Sequence, residues 1–91
     1  MNEKELLARI EKETKTMEEV FATLLVKDGE GLPKEFLAMA HNYFKDSKYF
    51  MGKKDPIRAF EAVVISWAYV DAGIKAGFFS VPDGLSHYFT A

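Results

Sequence analysis

The chain has no cysteine. Disulfide frameworks, thiolate zinc sites, iron–sulfur clusters and cysteine nucleophiles are therefore excluded. It also has no glutamine, and its asparagines are Asn2 and Asn42 alone, a poverty that leans toward a thermophilic source. An excess of one charge sign is missing too. Twelve basic and fourteen acidic side chains give a net charge of -2, which argues against a general nucleic-acid binder, since such domains are strongly basic. Long apolar runs are also absent. The longest, Ala62 to Val70, falls far short of the ~20 residues of a membrane span. The opening Met1-Asn2-Glu3-Lys4-Glu5 is charged and then amphipathic. The expectation is a chain with no signal or transit peptide and a cytoplasmic setting.

Catalytic signatures are as scarce. The histidines, His41 and His87, stand in no His-x-x-x-His, Glu-x-x-His or His-Glu-x-x-His spacing, so zinc-hydrolase and di-iron patterns are missing. His41 is placed on a solvated polar face and His87 in the tail, with no metal role for either. No Gly-x-Ser-x-Gly elbow occurs. Gly29-Glu30-Gly31 lacks a Walker lysine and a preceding strand, so it reads as a helix connection. No metal and no cofactor are expected.

What is present is enough apolar material for one folded domain. Of 91 residues, 48% are hydrophobic and thirteen are aromatic, which is not the profile of a disordered chain. A single helical domain over residues 1–91 is predicted. Leu6, Leu7, Ile10, Met17, Val20, Phe21, Leu24 and Leu25 fill one arc of a helix predicted over about 2–27. Glu13 and Thr14 interrupt that stripe. After the turn Asp28-Gly29-Glu30-Gly31, Pro33 suits the start of a second helix over 33–51, with Gly52 as its C′ residue. Asp55 then caps a third helix, which Pro56 opens and Gly77 closes, over 56–76.

Helix three has a main apolar face of Phe60, Val63, Val64, Trp67, Val70 and Ile74, and a second one of Ala62, Ile65 and Tyr69. A helix apolar nearly all round is normally buried nearly all round. The tail over 78–91, with Phe78, Phe79, Leu85, Tyr88 and Phe89, could cover the second face; a second subunit could do so instead. Short loops between long helices predict an all-α, up-down three-helix bundle with this aromatic tail packed on helix three. The second turn pairs positions whose numbers sum to about 107. That register sets Trp67 level with Ala40 and Phe60 level with Ser47.

Two charged features stand out. Between Lys45 and Arg58 five basic residues face two acidic ones. Lys53 and Lys54 adjoin the N-terminus of helix three, where free N–H groups favour anions; a nucleotide or RNA contact at this turn is the weaker functional reading, and a solvated turn capped by Asp55 is the plainer one. The register also brings Glu13, Asp46 and Glu61 to one level, near Tyr49 and Arg58. Such a cluster could bind a small ligand or serve as acid and base, or it could be an Arg58-centred ion-pair network.

The stretch Tyr43-Phe44-Lys45-Asp46-Ser47-Lys48-Tyr49-Phe50, followed by Gly52-Lys53-Lys54-Asp55-Pro56-Ile57-Arg58-Ala59-Phe60-Glu61-Ala62, resembles a small archaeal family of uncharacterised helical proteins, domain of unknown function 357. Asp46, Tyr49, Phe50, Gly52, Arg58, Ala59, Phe60, Glu61 and Trp67 fit its pattern. Ser47 stands where alanine is usual, and Pro56-Ile57 near the usual aromatic. The resemblance implies an all-helical fold and an archaeal source, and no activity. The residues themselves favour a non-enzymatic interaction or accessory module, partnered by itself as a homodimer or by another protein. Its interface would use Ile65, Tyr69, Phe78, Phe79, Leu85, Tyr88 and Phe89.

Overall fold

The computed structural model describes residues 1–27 and 29–89. The last two positions of the predicted tail and Asp28 of the predicted turn lie outside the described residues. Helices dominate. In chain order come α1 (Glu3–Thr23), β1 (Leu25–Val26), α2 (Leu32–Gly52), α3 (Pro56–Lys75), β2 (Phe79–Ser80) and the short α4 (Asp83–Ser86), followed by a 3-10 turn, His87–Phe89. The molecule measures 39 × 25 × 20 Å.

Helix α1 starts where Asn2 accepts a hydrogen bond from the Glu5 amide at 2.8 Å and returns one to the Glu5 carboxylate at 3.1 Å. One otherwise unpaired helix N–H is thereby satisfied, and the two side chains brace each other. The helix stops at Thr23, short of the predicted Lys27, because Leu24 turns extended. Leu25 and Val26 then pair antiparallel with Ser80 and Phe79, and the Lys27 amide donates to Phe78 O at 2.8 Å. Backbone partners from the far end of the chain thus override a helical pattern that continues through Leu24 and Leu25.

Helices α2 and α3 form an antiparallel hairpin. Its turn follows the Schellman pattern, with the Asp55 amide donating to Phe50 O at 2.9 Å and the Lys54 amide to Met51 O at 3.1 Å. The left-handed residue is Lys54, with φ 58°. Gly52 is therefore still helical, and the predicted C′ position moves two residues along. Asp55 accepts from the Arg58 amide at 3.2 Å and caps α3. At the other end of α3 the same pattern recurs with Gly77 as the left-handed residue, φ 80°, Phe78 donating to Gly73 O and Gly77 to Ile74 O.

The hairpin seam is built from small residues. The Ser47 hydroxyl donates to Ala59 O and the Ser66 hydroxyl to Ala40 O, both at 2.7 Å and both buried. Level residues therefore sum to 106, one less than the sequence estimate. That single step turns Trp67 away from α2. Its ring lies instead against Tyr88 and Phe89 of the tail, at 5.8 and 5.1 Å between centroids. The core comprises Ile10, Met17 and Val20 of α1, Ala40 and Phe44 of α2, Ala59, Ala62, Val63 and Val70 of α3, and Phe79. Phe79 fits because Gly73 has no side chain; a Cβ there would lie 2.2 Å from the ring.

Candidate functional site

The expected carboxylate–arginine cluster divides. Asp46, Arg58 and Glu61 do come together, lining a shallow depression of about 240 Å³ between α2 and α3 with Tyr43, Phe50, Ala62 and Ile65. Glu13 is not among its lining residues. It belongs to α1, where its Oε1 lies 3.6 Å from Arg9 Nε. Arg58 is exposed and loosely held: its Nε lies 3.6 Å from Asp55 Oδ2 and its guanidinium carbon 5.9 Å from the ring centre of Phe50, another lining residue. Tyr49 is 60% exposed, edge-on to Phe50, with Lys53 Nζ 5.6 Å above its ring. Among the described residues no group of three His, Cys, Asp or Glu side chains could hold a metal ion. A shallow depression whose one arginine is exposed and loosely held has little means of gripping a polar substrate.

The basic turn is equally occupied. Lys53, Lys54 and Asp55 line a groove with Met1, Glu3, Leu6 and Ile57. The N-terminus of α3 already has its anion in Asp55, so the amides available to an incoming phosphate are partly spent. No described helix is long and apolar enough to cross a membrane.

His41 is not simply solvated. Its ring stacks on Phe21 of α1 at 4.1 Å and 21°, and Phe21 meets Phe44 edge-on at 5.3 Å. Partial burial, and then the charge of Lys45, hold its pKa below the ordinary histidine value. His87 lies against Tyr88, 4.1 Å between ring centres.

The residues expected at an interface take three different positions. Phe79 is 4% exposed inside the chain, and Leu85 is half-buried against the core. Tyr88 and Phe89 cover Trp67. Phe78 stands edge-on to Phe36, which also meets Tyr69; Tyr69 in turn stacks on Tyr43 at 6.0 Å and 14°. Ile65 remains 38% exposed. Tyr88 and Phe89 therefore pack on the Trp67 side of α3, Phe78 lies toward Tyr69 through Phe36, and Val64 and Ile65 stay exposed.

A larger groove, of about 700 Å³, lies between α1 and α2. Leu7, Ile10, Thr14, Ser47 and Met51 line it, and the pairs Glu11–Lys15 and Glu18–Lys48 stand beside it at 3.6 and 3.3 Å. Sequence reasoning missed it. The available signal was Thr14, a polar interruption of the apolar stripe that lines the groove.

The fold also occurs elsewhere. A crystal structure of a protein of unknown function from Archaeoglobus fulgidus superposes with a TM-score of 0.75 at 29% sequence identity, covering 87% of this chain and 96% of that one. No curated protein matches the chain. The model of the family described as protein of unknown function, DUF357, matches residues 3–79. By that match, over more than half of its length, this chain belongs to the DUF357 family, for which no specific function is indicated.

Proposed function

We propose that this domain is a non-enzymatic interaction module, an up-down bundle of three long helices that works in the cytoplasm as a homodimer. One observation carries the reading. Helix α3 is the central element, with α2, α1 and the tail packed around it, yet one side stays bare: Val64 is 46% and Ile65 38% exposed, and Ala68 and Ala72 beside them are exposed as well. Apolar surface concentrated on one side of a central helix is what a docking surface presents.

The test is the solution mass of the full chain by light scattering and sedimentation at 10–100 µM, on the order of concentrations where modest interfaces assemble. The expected result is twice the 10.3 kDa chain mass. A monomer across that range would overturn the homodimer.

A further inference from the structure

The bare side of α3 has an internal symmetry. Its exposed residues Glu61, Val64, Ala68, Ala72 and Lys75 are spaced three, four, four and three apart, which keeps all five on one side of a helix of 3.6 residues per turn. The spacing reads the same from either end, about Ala68. The chemistry is complementary across that centre: an acid at one end, a base at the other, a larger apolar residue at Val64 and a small one at Ala72.

We infer that two copies of the chain pair through α3, antiparallel about a two-fold axis at Ala68, with Glu61 of each copy meeting Lys75 of the other. The inference rests on the homodimer reading above and specifies its interface. In this arrangement Val64 of one copy is level with Ala72 of the second, so large packs against small. Ala68 meets itself at the axis and lets the backbones approach. Two equivalent Glu–Lys pairs close the ends, as a two-fold interface requires.

Three observations point to a second copy over another occupant. First, Glu61 sits on this apolar side with no cationic partner among the described residues. Second, Lys75 bonds Asp71 one turn away on its own helix and stays about half exposed, and an ammonium with three donors can take a second carboxylate. Third, a parallel pairing would set Glu61 against Glu61 and Lys75 against Lys75, so the charges select the antiparallel register. The tail does not fill this surface; Tyr88 and Phe89 form one wall beside Val64 and Ala68.

Charge reversal and cross-linking test the arrangement in the full chain. Glu61→Lys and Lys75→Glu, each alone, place like charges at both ends and should weaken the dimer about tenfold or more. The double variant restores opposite charges and should return the dissociation constant to within about threefold of the wild type. Because the chain has no cysteine, Ala68→Cys reports cleanly: mild oxidation should give a disulfide-linked dimer, while Ala22→Cys on α1 should not. Circular dichroism melts confirm that each variant is folded. A wild-type dimer insensitive to both reversals, with no cross-link at position 68, would overturn the α3 interface and leave the homodimer standing. A wild-type monomer would remove both.

Discussion

The α2–α3 hairpin and the α1 side of the molecule are held in different ways. The hairpin is joined by two reciprocal bonds, Ser47 to Ala59 O and Ser66 to Ala40 O, and by a turn whose own amides close it. All of this comes from neighbouring sequence. Helix α1 rests on α3 through Ile10, Met17 and Val20 and meets α2 through the Phe21–His41 stack and the Glu18–Lys48 pair. Beyond the Glu18–Lys48 pair, toward Leu7 and Met51, a groove stays open. What fixes the end of α1 is the β1–β2 clasp, which depends on residues at the far end of the chain. A local seam with small residues needs no outside help. A helix placed by distant partners does, and it is the first to loosen when those partners are removed.

The largest expected effect follows from that contrast. Phe79 is the hinge of the clasp, since its backbone pairs with Val26 while its ring fills the space above Gly73. Phe79→Ala should cost about 3–5 kcal/mol, the usual range for a buried phenylalanine. Hydrogen exchange should show α1 losing protection before α2 and α3. Equal loss across all three helices would mean that clasp and hairpin are one cooperative unit. Gly73→Ala should also destabilise, by about 1–3 kcal/mol from overpacking. In a Phe79→Ala background the same change should be close to neutral or favourable, because the ring is gone and alanine is the better helix former.

The same contrast explains what could be read from the sequence. The hairpin was legible because its signals are local: Pro33 and Pro56 near helix starts, Asp55 at a cap, Gly77 at a stop, and apolar spacing between them. The buried residues of α2, Ala40, Phe44 and Ser47, recur four and three residues apart, as the inner face of a helix does. The register estimate missed by one residue, and one residue is about 100° of rotation on a helix. That was enough to exchange Trp67 for Ser66 at the seam and to send the indole to the tail. Illegible were the two short strands, because Leu24-Leu25-Val26 continues an apolar helical pattern and nothing near it reveals Phe79 as a partner. The candidate cluster was half legible. Asp46, Arg58 and Glu61 belong to the hairpin and do share a depression; Glu13 depends on the placement of α1 and does not join them.

A smaller effect probes the seam itself. Ser47→Ala and Ser66→Ala each delete a buried hydroxyl whose acceptor carbonyl lies in the other helix. Each should cost about 1 kcal/mol, the net worth of one hydrogen bond. Because the two bonds are related by the antiparallel register, the costs should be similar, and chemical denaturation resolves both. A marked inequality would show that one end of the hairpin carries the helix pairing. Neither change should disturb the protection of α1 relative to α3, in contrast to Phe79→Ala.

The smallest effect should have the opposite sign. The same Schellman pattern ends α2 and α3, but the left-handed residue is Lys54 in the first and Gly77 in the second. A lysine at φ 58° brings its Cβ against the backbone, a cost of about 1–2 kcal/mol that glycine avoids. Glycine in turn gives the unfolded chain more freedom, worth about 0.4–1 kcal/mol against it. The difference leaves Lys54→Gly stabilising by roughly 0.5–1 kcal/mol, seen as a higher denaturant midpoint with an unchanged slope. Removal of the side chain also tests whether the Lys54 ammonium contributes to the turn. If Lys54→Gly destabilises, the lysine makes a contribution that outweighs its backbone strain, and the turn would no longer be a purely local closure of the hairpin.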